Sequence, residues 1–200
     1  MSKTILISGF EAFGGERLNP SFEAVKRLPD TIGGARLVKT ELPVVFVGAA
    51  ERLLDRIREI GPDAVIAVGQ AGGRKSITPE LIAVNVQNAR LPDGGGNRPD
   101  WAPILEDGPA GIFSRLPVRE MVRAMNEAGI SAALSLSAGA YVCNELMYRV
   151  LAATEGSGLP FGFIHVPFLP EQTADKPGVP SMPLEDIVKG LEVCISALSI

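Results

Sequence analysis

The chain predicts an α/β fold: one domain over residues 1–200, built as an open, largely parallel twisted sheet with helices on both faces in three layers. Three observations predict it. Short apolar, β-branched runs alternate along the chain with segments whose apolar residues recur at helical spacing. Two of those runs end in glycine-rich loops, at 9–15 and 69–74, where open sheets of this kind bind ligands. No internal repeat or linker interrupts the pattern.

Residues 4–8 read as a buried first strand and open into Gly9-Phe10-Glu11-Ala12-Phe13-Gly14-Gly15, a loop carrying two phenylalanines three residues apart. Its glycine spacing is not that of a dinucleotide-binding turn, and it lacks the lysine of a phosphate loop. Asn19 is suited to cap a helix that has Pro20 at its first position and Phe22, Val25 and Leu28 on one face. A strand is expected over 35–42. A helix over 48–60 carries Ala50, Leu53, Leu54, Ile57 and Ile60, and Gly61-Pro62 stops it before a strand over 63–69. An extended apolar segment covers 77–86, with Glu80 at its entrance. Residues 88–109 are irregular, which in a compact domain marks a functional loop or a small excursion. Beyond them come a helix from Leu116-Pro117, a strand over 130–136, a helix after Ala140, a strand over 161–167 and a helix over 184–198. The Pro- and Gly-rich segment 168–183 reads as mobile or lid-like.

A chain of 200 residues, 46% hydrophobic and 21% charged, is an ordinary globular composition. Its net charge of −4, with no basic run or basic–aromatic stripe, argues against a nucleic-acid partner. No apolar stretch is long enough to cross a bilayer, and the first apolar segment is too short for a signal peptide. The two well-separated cysteines suit reduced thiols in the cytoplasm better than a disulfide framework. With two cysteines and one histidine, a structural zinc site is not expected.

The stretch 135–151 holds the strongest chemistry. The small residues Ser137, Ala138, Gly139 and Ala140 separate an apolar run from a helix, and Cys143 falls in that helix's first turn. Unpaired N–H groups and the helix dipole favour a thiolate there. A lone cysteine is as readily a small buried hydrophobe, the reading that fits Cys194 on the stripe of the last helix. A nucleophilic thiol needs a base, and His165 is the only histidine. Parallel connections bring successive strand ends to one sheet edge, which places His165 near the Cys143 helix. An acceptor must then fix the imidazole tautomer; Glu80 is the candidate that follows a strand-end loop on the same expected edge, with Glu11, Asp93 and Glu145 left open. Backbone donors at the helix start or in the glycine loops would serve an oxyanion. The implied reaction is acyl transfer to water through a thioester.

Five ordered motifs resemble the pyroglutamyl peptidase I (pyrrolidone-carboxylate peptidase) family of cysteine peptidases over nearly the whole chain. They are the loop 9–15; Gly72-Gly73-Arg74 with Ile77-Thr78-Pro79-Glu80; Asn88-Ala89-Arg90-Leu91-Pro92-Asp93; Ser137 to Asn144; and Phe163-Ile164-His165-Val166-Pro167. Ala12 and Tyr141 stand where members often carry proline and phenylalanine. The resemblance implies removal of an N-terminal pyroglutamyl residue from peptides, without metal or cofactor. Cys143 would be the nucleophile, His165 the base and acid, and Glu80 the residue orienting it. Phe10 and Phe13 would sandwich the lactam ring, Tyr141 and Val142 would line the pocket, Gln70 would hydrogen-bond the lactam, and Arg90 would lie near the oxyanion. A homo-oligomer, dimer or tetramer, is implied by the same analogy. Two other readings remain: a nucleoside-phosphorylase-like transferase, disfavoured by the scarcity of basic residues in the glycine loops, and a non-catalytic binder of a small lactam-like ligand.

Overall fold

The computed structural model describes residues 3–198, leaving Met1, Ser2, Ser199 and Ile200 outside the description. In chain order the elements are β1 (Thr4–Phe10), α1 (Pro20–Arg27), β2 (Thr31–Ile32), β3 (Ala35–Leu42), α2 (Gly48–Ile60), β4 (Ala64–Gln70) and β5 (Thr78–Pro79). There follow β6 (Ile82–Val84), β7 (Gly111–Phe113), α3 (Val118–Glu127), α4 (Val142–Ala153), β8 (Phe161–Val166), α5 (Pro170–Thr173) and α6 (Leu184–Ser196).

The main sheet has the order β2-β3-β1-β4-β8-β5. Its centre, β3-β1-β4-β8, is parallel throughout, while β2 and β5 add antiparallel edges. This is the open, largely parallel sheet expected, and strand alternation divides its core in two. Ile5 and Ile7 of β1, Ile66 and Val68 of β4, and Ile164 and Val166 of β8 pack with α1, α3 and α6. Leu6, Val65, Ala67, Phe161 and Phe163, on the opposite parity, pack with α2 and α4. Cys194 lies fully buried in the first of these clusters, its Sγ 3.4 Å from Met125 Sδ, as its place on the helix stripe implied.

Local chemistry sets the boundaries. Asn19 Oδ1 accepts from Ser21 N–H and Pro20 opens α1, while Gly61, in the left-handed region, ends α2 by donating to Ile57 O. Residues 130–136 form no strand. They run parallel to 77–81 with only isolated bridges, Ile77 to Ala132 and Glu80 to Ser135. Ile77, Leu81 and Ser135 contribute bonds, but Pro79 has no N–H to give, so the ladder breaks in its middle. The segment 77–86 is likewise split, β5 closing the main sheet and β6 pairing with β7 in a separate two-stranded sheet. Residues 168–183, expected to be lid-like, are tied down instead. Leu169 and Gln172 are buried, Met182 N–H donates to Phe168 O, and Lys176 pairs with Glu16 at 2.9 Å.

The loop after β1 depends on close approach to α1. A Cβ on Gly9 would lie 2.6 Å from the Phe22 Cα and 2.7 Å from the Ser21 carbonyl carbon, both backbone atoms that cannot yield. Gly9→Ala is therefore expected to destabilise the fold by about 1–3 kcal/mol, measured by chemical denaturation.

Candidate active site

Three elements bring the predicted chemistry together. Position 165 shares its parity on β8 with Phe161 and Phe163, so His165 faces the α4 side of the sheet. Across the ladder it pairs with Gly69 of β4 on one side and Thr78 of β5 on the other. Cys143 sits at the second position of α4, directly over that ladder: a Cβ on Gly69 would lie 3.1 Å from the Cys143 Sγ. Gly69 is thus the space that admits the thiol, and its absent side chain would also strike the Phe163 ring. His165 lies on β8, the strand next to the edge, between β4 and β5; residues 130–136 do not pair with it, because β5 lies between.

Glu80 is fully buried one residue past β5. Its Oε1 accepts from His165 Nδ1 at 2.7 Å and from Arg74 Nη1 at 2.6 Å. With Nδ1–H committed to the carboxylate, Nε2 is the imidazole nitrogen left to take a proton. Arg74 also donates to Thr78 Oγ1 and, through Nη2, to the Ser137 carbonyl at 2.9 Å, linking the carboxylate to the turn that precedes α4. Glu80 Oε2 is buried without a hydrogen-bond partner; the nearby Ser135 hydroxyl donates to Ser137 O. Of the other acceptors left open by the sequence, none serves the histidine. Glu11, Asp93 and Glu145 instead accept the backbone N–H groups of Val44 (3.2 Å), Phe46 (2.7 Å) and Val47 (3.1 Å) respectively. Three carboxylates therefore hold one loop, 44–47, whose Val47 lies in the left-handed region at φ 65°.

Burial alone would raise the Glu80 carboxyl, but the His165 hydrogen bond and charge together with Arg74 hold it below the usual carboxylate range. Burial lowers His165, against the pull of Glu80 and with the help of Arg74. Burial pushes the Cys143 thiol up to about 12, the Glu80 charge adding to it, while Arg74 and the backbone N–H at the helix start draw it down. Burial and the Glu80 charge thus oppose the thiolate that the helix start and Arg74 favour, at a side chain that is itself only half-buried.

Cys143, His165 and Arg74 line a cavity of about 350 Å³, with Glu80 buried behind the histidine. Phe10, Phe13, Gln70, Tyr141 and Val142 line it as well. Phe10 is at once wall and core, only 2% exposed and 6.2 Å from the Phe163 ring, whereas Phe13 is 37% exposed at the mouth and packs on Tyr141. Tyr141 stands edge-on to Phe46 at 5.2 Å, and its hydroxyl donates to Pro92 O at 3.3 Å, the partner an added hydroxyl requires. Arg90 is exposed and borders two adjoining grooves, not the cavity over Cys143. The unpaired N–H groups that open α4 stand beside the thiol instead. Sequence reasoning gave no role to Arg74, although it stood in the motif Gly72-Gly73-Arg74. Its signal was a lone arginine six residues before the candidate glutamate.

A family model described as pyroglutamyl peptidase matches residues 3–200. A pyrrolidone-carboxylate peptidase of Staphylococcus carnosus is 49% identical over 98% of this chain and 92% of its own length. Another, of Levilactobacillus brevis, is 50% identical over 98% and 97%. Among solved structures, pyroglutamyl peptidase I from Bacillus amyloliquefaciens superposes with a TM-score of 0.94 at 42% identity, covering 98% of this chain and 95% of that one. A mutant pyrrolidone carboxyl peptidase from Pyrococcus furiosus gives 0.92 at 41%, covering 97% of each.

Because the Arg74 charge draws the Cys143 thiol down, Arg74→Gln is expected to slow alkylation of Cys143 by iodoacetamide about tenfold at fixed pH, one pKa unit of thiolate fraction. Peptide mass spectrometry reads the rate at each cysteine, and buried Cys194 is the internal reference.

Proposed function

The chain belongs to the pyroglutamyl peptidase family, and from that premise we propose that Cys143, His165 and Glu80 are the groups that perform its hydrolysis. The protein is a cysteine peptidase that removes an N-terminal pyroglutamyl (5-oxoproline) residue from peptides. The observation that carries the residue assignment is the hydrogen bond from buried Glu80 to His165, which lines one cavity with Cys143.

The thiol becomes a strong nucleophile on losing its proton, which passes to His165 Nε2 before sulfur bonds to the pyroglutamyl carbonyl carbon. Glu80 keeps the proton on Nδ1 and stabilises the imidazolium as it forms. The negative charge arriving on the carbonyl oxygen meets the unpaired N–H groups at the start of α4. Collapse breaks the C–N bond, the leaving amine takes the proton from Nε2, and a thioester remains on Cys143. Water then attacks, His165 accepting its proton and returning it to sulfur as 5-oxoproline departs. The ring itself is flat and uncharged, which suits the aromatic walls Phe10, Phe13 and Tyr141, with Val142 completing the apolar lining and Gln70 supplying a polar contact.

The transferase and inert-binder readings are not favoured, since relatives 49% and 50% identical are named as peptidases. Localisation in the cytoplasm is supported by the two unpaired cysteines; no helix among the described residues is long and apolar enough to cross a membrane. A homo-oligomer is supported by exposed Leu91, Trp101, Phe113 and Leu136, which a second copy would cover.

With a pyroglutamyl amide reporter, Cys143→Ser and His165→Ala are each expected to lower kcat/KM by about 10⁴-fold or more, and Cys194→Ser to leave it unchanged. Full activity in Cys143→Ser would overturn the assignment. Since burial lowers His165, the base stays neutral below the ordinary histidine value, and the acid limb of kcat/KM should fall below about pH 6.5. Stability moves in the same direction. Below that pH the unfolded chain takes up a proton that folded His165 refuses, and at lower pH Glu80 adds its own loss, so the protein weakens on acidification. Thermal denaturation across pH 4–8 reads this trend.

A further inference from the structure

Gln70 lines the cavity and its amide has two faces: an oxygen that accepts and a nitrogen that donates. A lactam ring presents both a carbonyl and an N–H, so which face Gln70 offers decides which ring atom it can bind. The surrounding hydrogen bonds decide this. Leu169 N–H can only donate, and it donates to Gln172 Oε1 at 3.0 Å, which fixes the orientation of the Gln172 amide. Gln172 must then point its nitrogen the other way, and Nε2 donates to Gln70 Oε1 at 2.9 Å. Glu16, whose carboxyl is held below its usual range by Lys176 and also by Gln172, reinforces the same orientation, because a carboxylate accepts from an amide nitrogen and not from its oxygen. Gln172 is 5% exposed and is held in the short helix α5 by Pro170 and the buried Leu169. With its oxygen turned to Gln172, the Gln70 amide points its Nε2 hydrogens the other way, and no hydrogen bond of the described residues uses them.

We infer that Gln172 is a specificity-determining positioning residue: it locks Gln70 as a hydrogen-bond donor facing the cavity, selecting a ring that carries a carbonyl acceptor, 5-oxoproline, over one that does not, proline. The inference deepens the peptidase reading and rests on it for the identity of the ring. It also explains why 168–183 is fixed and not lid-like. The segment supplies the far end of a relay running from a backbone N–H through two amides to the substrate. A site built to donate one hydrogen bond rejects a ring lacking the acceptor, because the donor is then buried unpaired.

The test replaces Gln172 with a group that accepts but cannot donate. In Gln172→Glu the introduced carboxylate still accepts from Leu169 N–H but offers no proton to Gln70, which must turn its nitrogen toward the carboxylate and its oxygen toward the ring. Two readouts are used, the Kd of free 5-oxoproline by calorimetry and the KM and kcat of the pyroglutamyl reporter. The expected result is a rise of about tenfold in Kd and KM with kcat retained, and no change in the far weaker binding of proline. In a Gln70→Ala background the same substitution should add nothing. As pH falls and the introduced carboxyl protonates, it donates again, and the ratio of variant to parent KM should return toward one. Gln172→Met, which neither donates nor accepts, should raise KM by less than Gln172→Glu and serves if that variant does not fold. A loss confined to kcat, an equal rise in the Gln70→Ala background, or a pH-independent ratio would each overturn the inference. Failure of the parent protein to cleave the reporter, with the Kd effects intact, would sink the peptidase reading and leave the Gln70 orientation standing.

Discussion

A single carboxylate oxygen organises the site. Glu80 Oε1 is shared between His165 Nδ1 and Arg74 Nη1, inside a position with no solvent exposure. A carboxylate buried alone would be protonated or expelled; here two donors converge on one oxygen and keep it ionised. Removing either donor would leave the buried carboxylate one hydrogen bond short, at a cost of about 1–3 kcal/mol. From that constraint follow the histidine tautomer, the availability of Nε2 and, through Arg74 and the Ser137 carbonyl, the position of the turn that delivers Cys143.

The sheet supplies the geometry that this interaction needs. Alternation along β8 turns His165 toward α4, and the register sets it beside Gly69, the one position in that row without a side chain. The thiol descends into the space so left. The site is therefore assembled across four chain segments, β4, β5, α4 and β8, each already fixed by the two apolar clusters flanking the sheet. The same logic holds the opposite wall. Glu11, Asp93 and Glu145 clamp three of the four residues of the 44–47 loop, and that loop sets Phe46 against Tyr141. The acidic residues of the site thus divide into one that serves the histidine and three that shape the cavity.

Much of this was legible beforehand where physics is local. The helix over 48–60 appears with its expected bounds, because its period, its stop at Gly61-Pro62 and its apolar stripe all lie within a few turns. Asn19 and Pro20 likewise begin α1 where capping chemistry says they should. The strand expected over 130–136 failed because strand formation needs a partner's donors, and Pro79, fifty residues earlier, withholds one. Segment 168–183 looked loose from its prolines and glycines, yet Gln172 and Lys176 find partners in Gln70 and Glu16 that no window of sequence could display.

The sequence by itself determined the fold class, the sole histidine and the cysteine at a helix start, since these depend on composition and short-range period. Its motifs, by resemblance, also singled out Glu80 from four acidic candidates. Only the tertiary structure decided what surrounds these groups. Helix-terminal position favours a thiolate at Cys143, and the fold sets the Arg74 charge with it and burial and the Glu80 charge against it. Ionisation depends on everything within a few ångströms in space, and here those neighbours come from segments far apart in the chain.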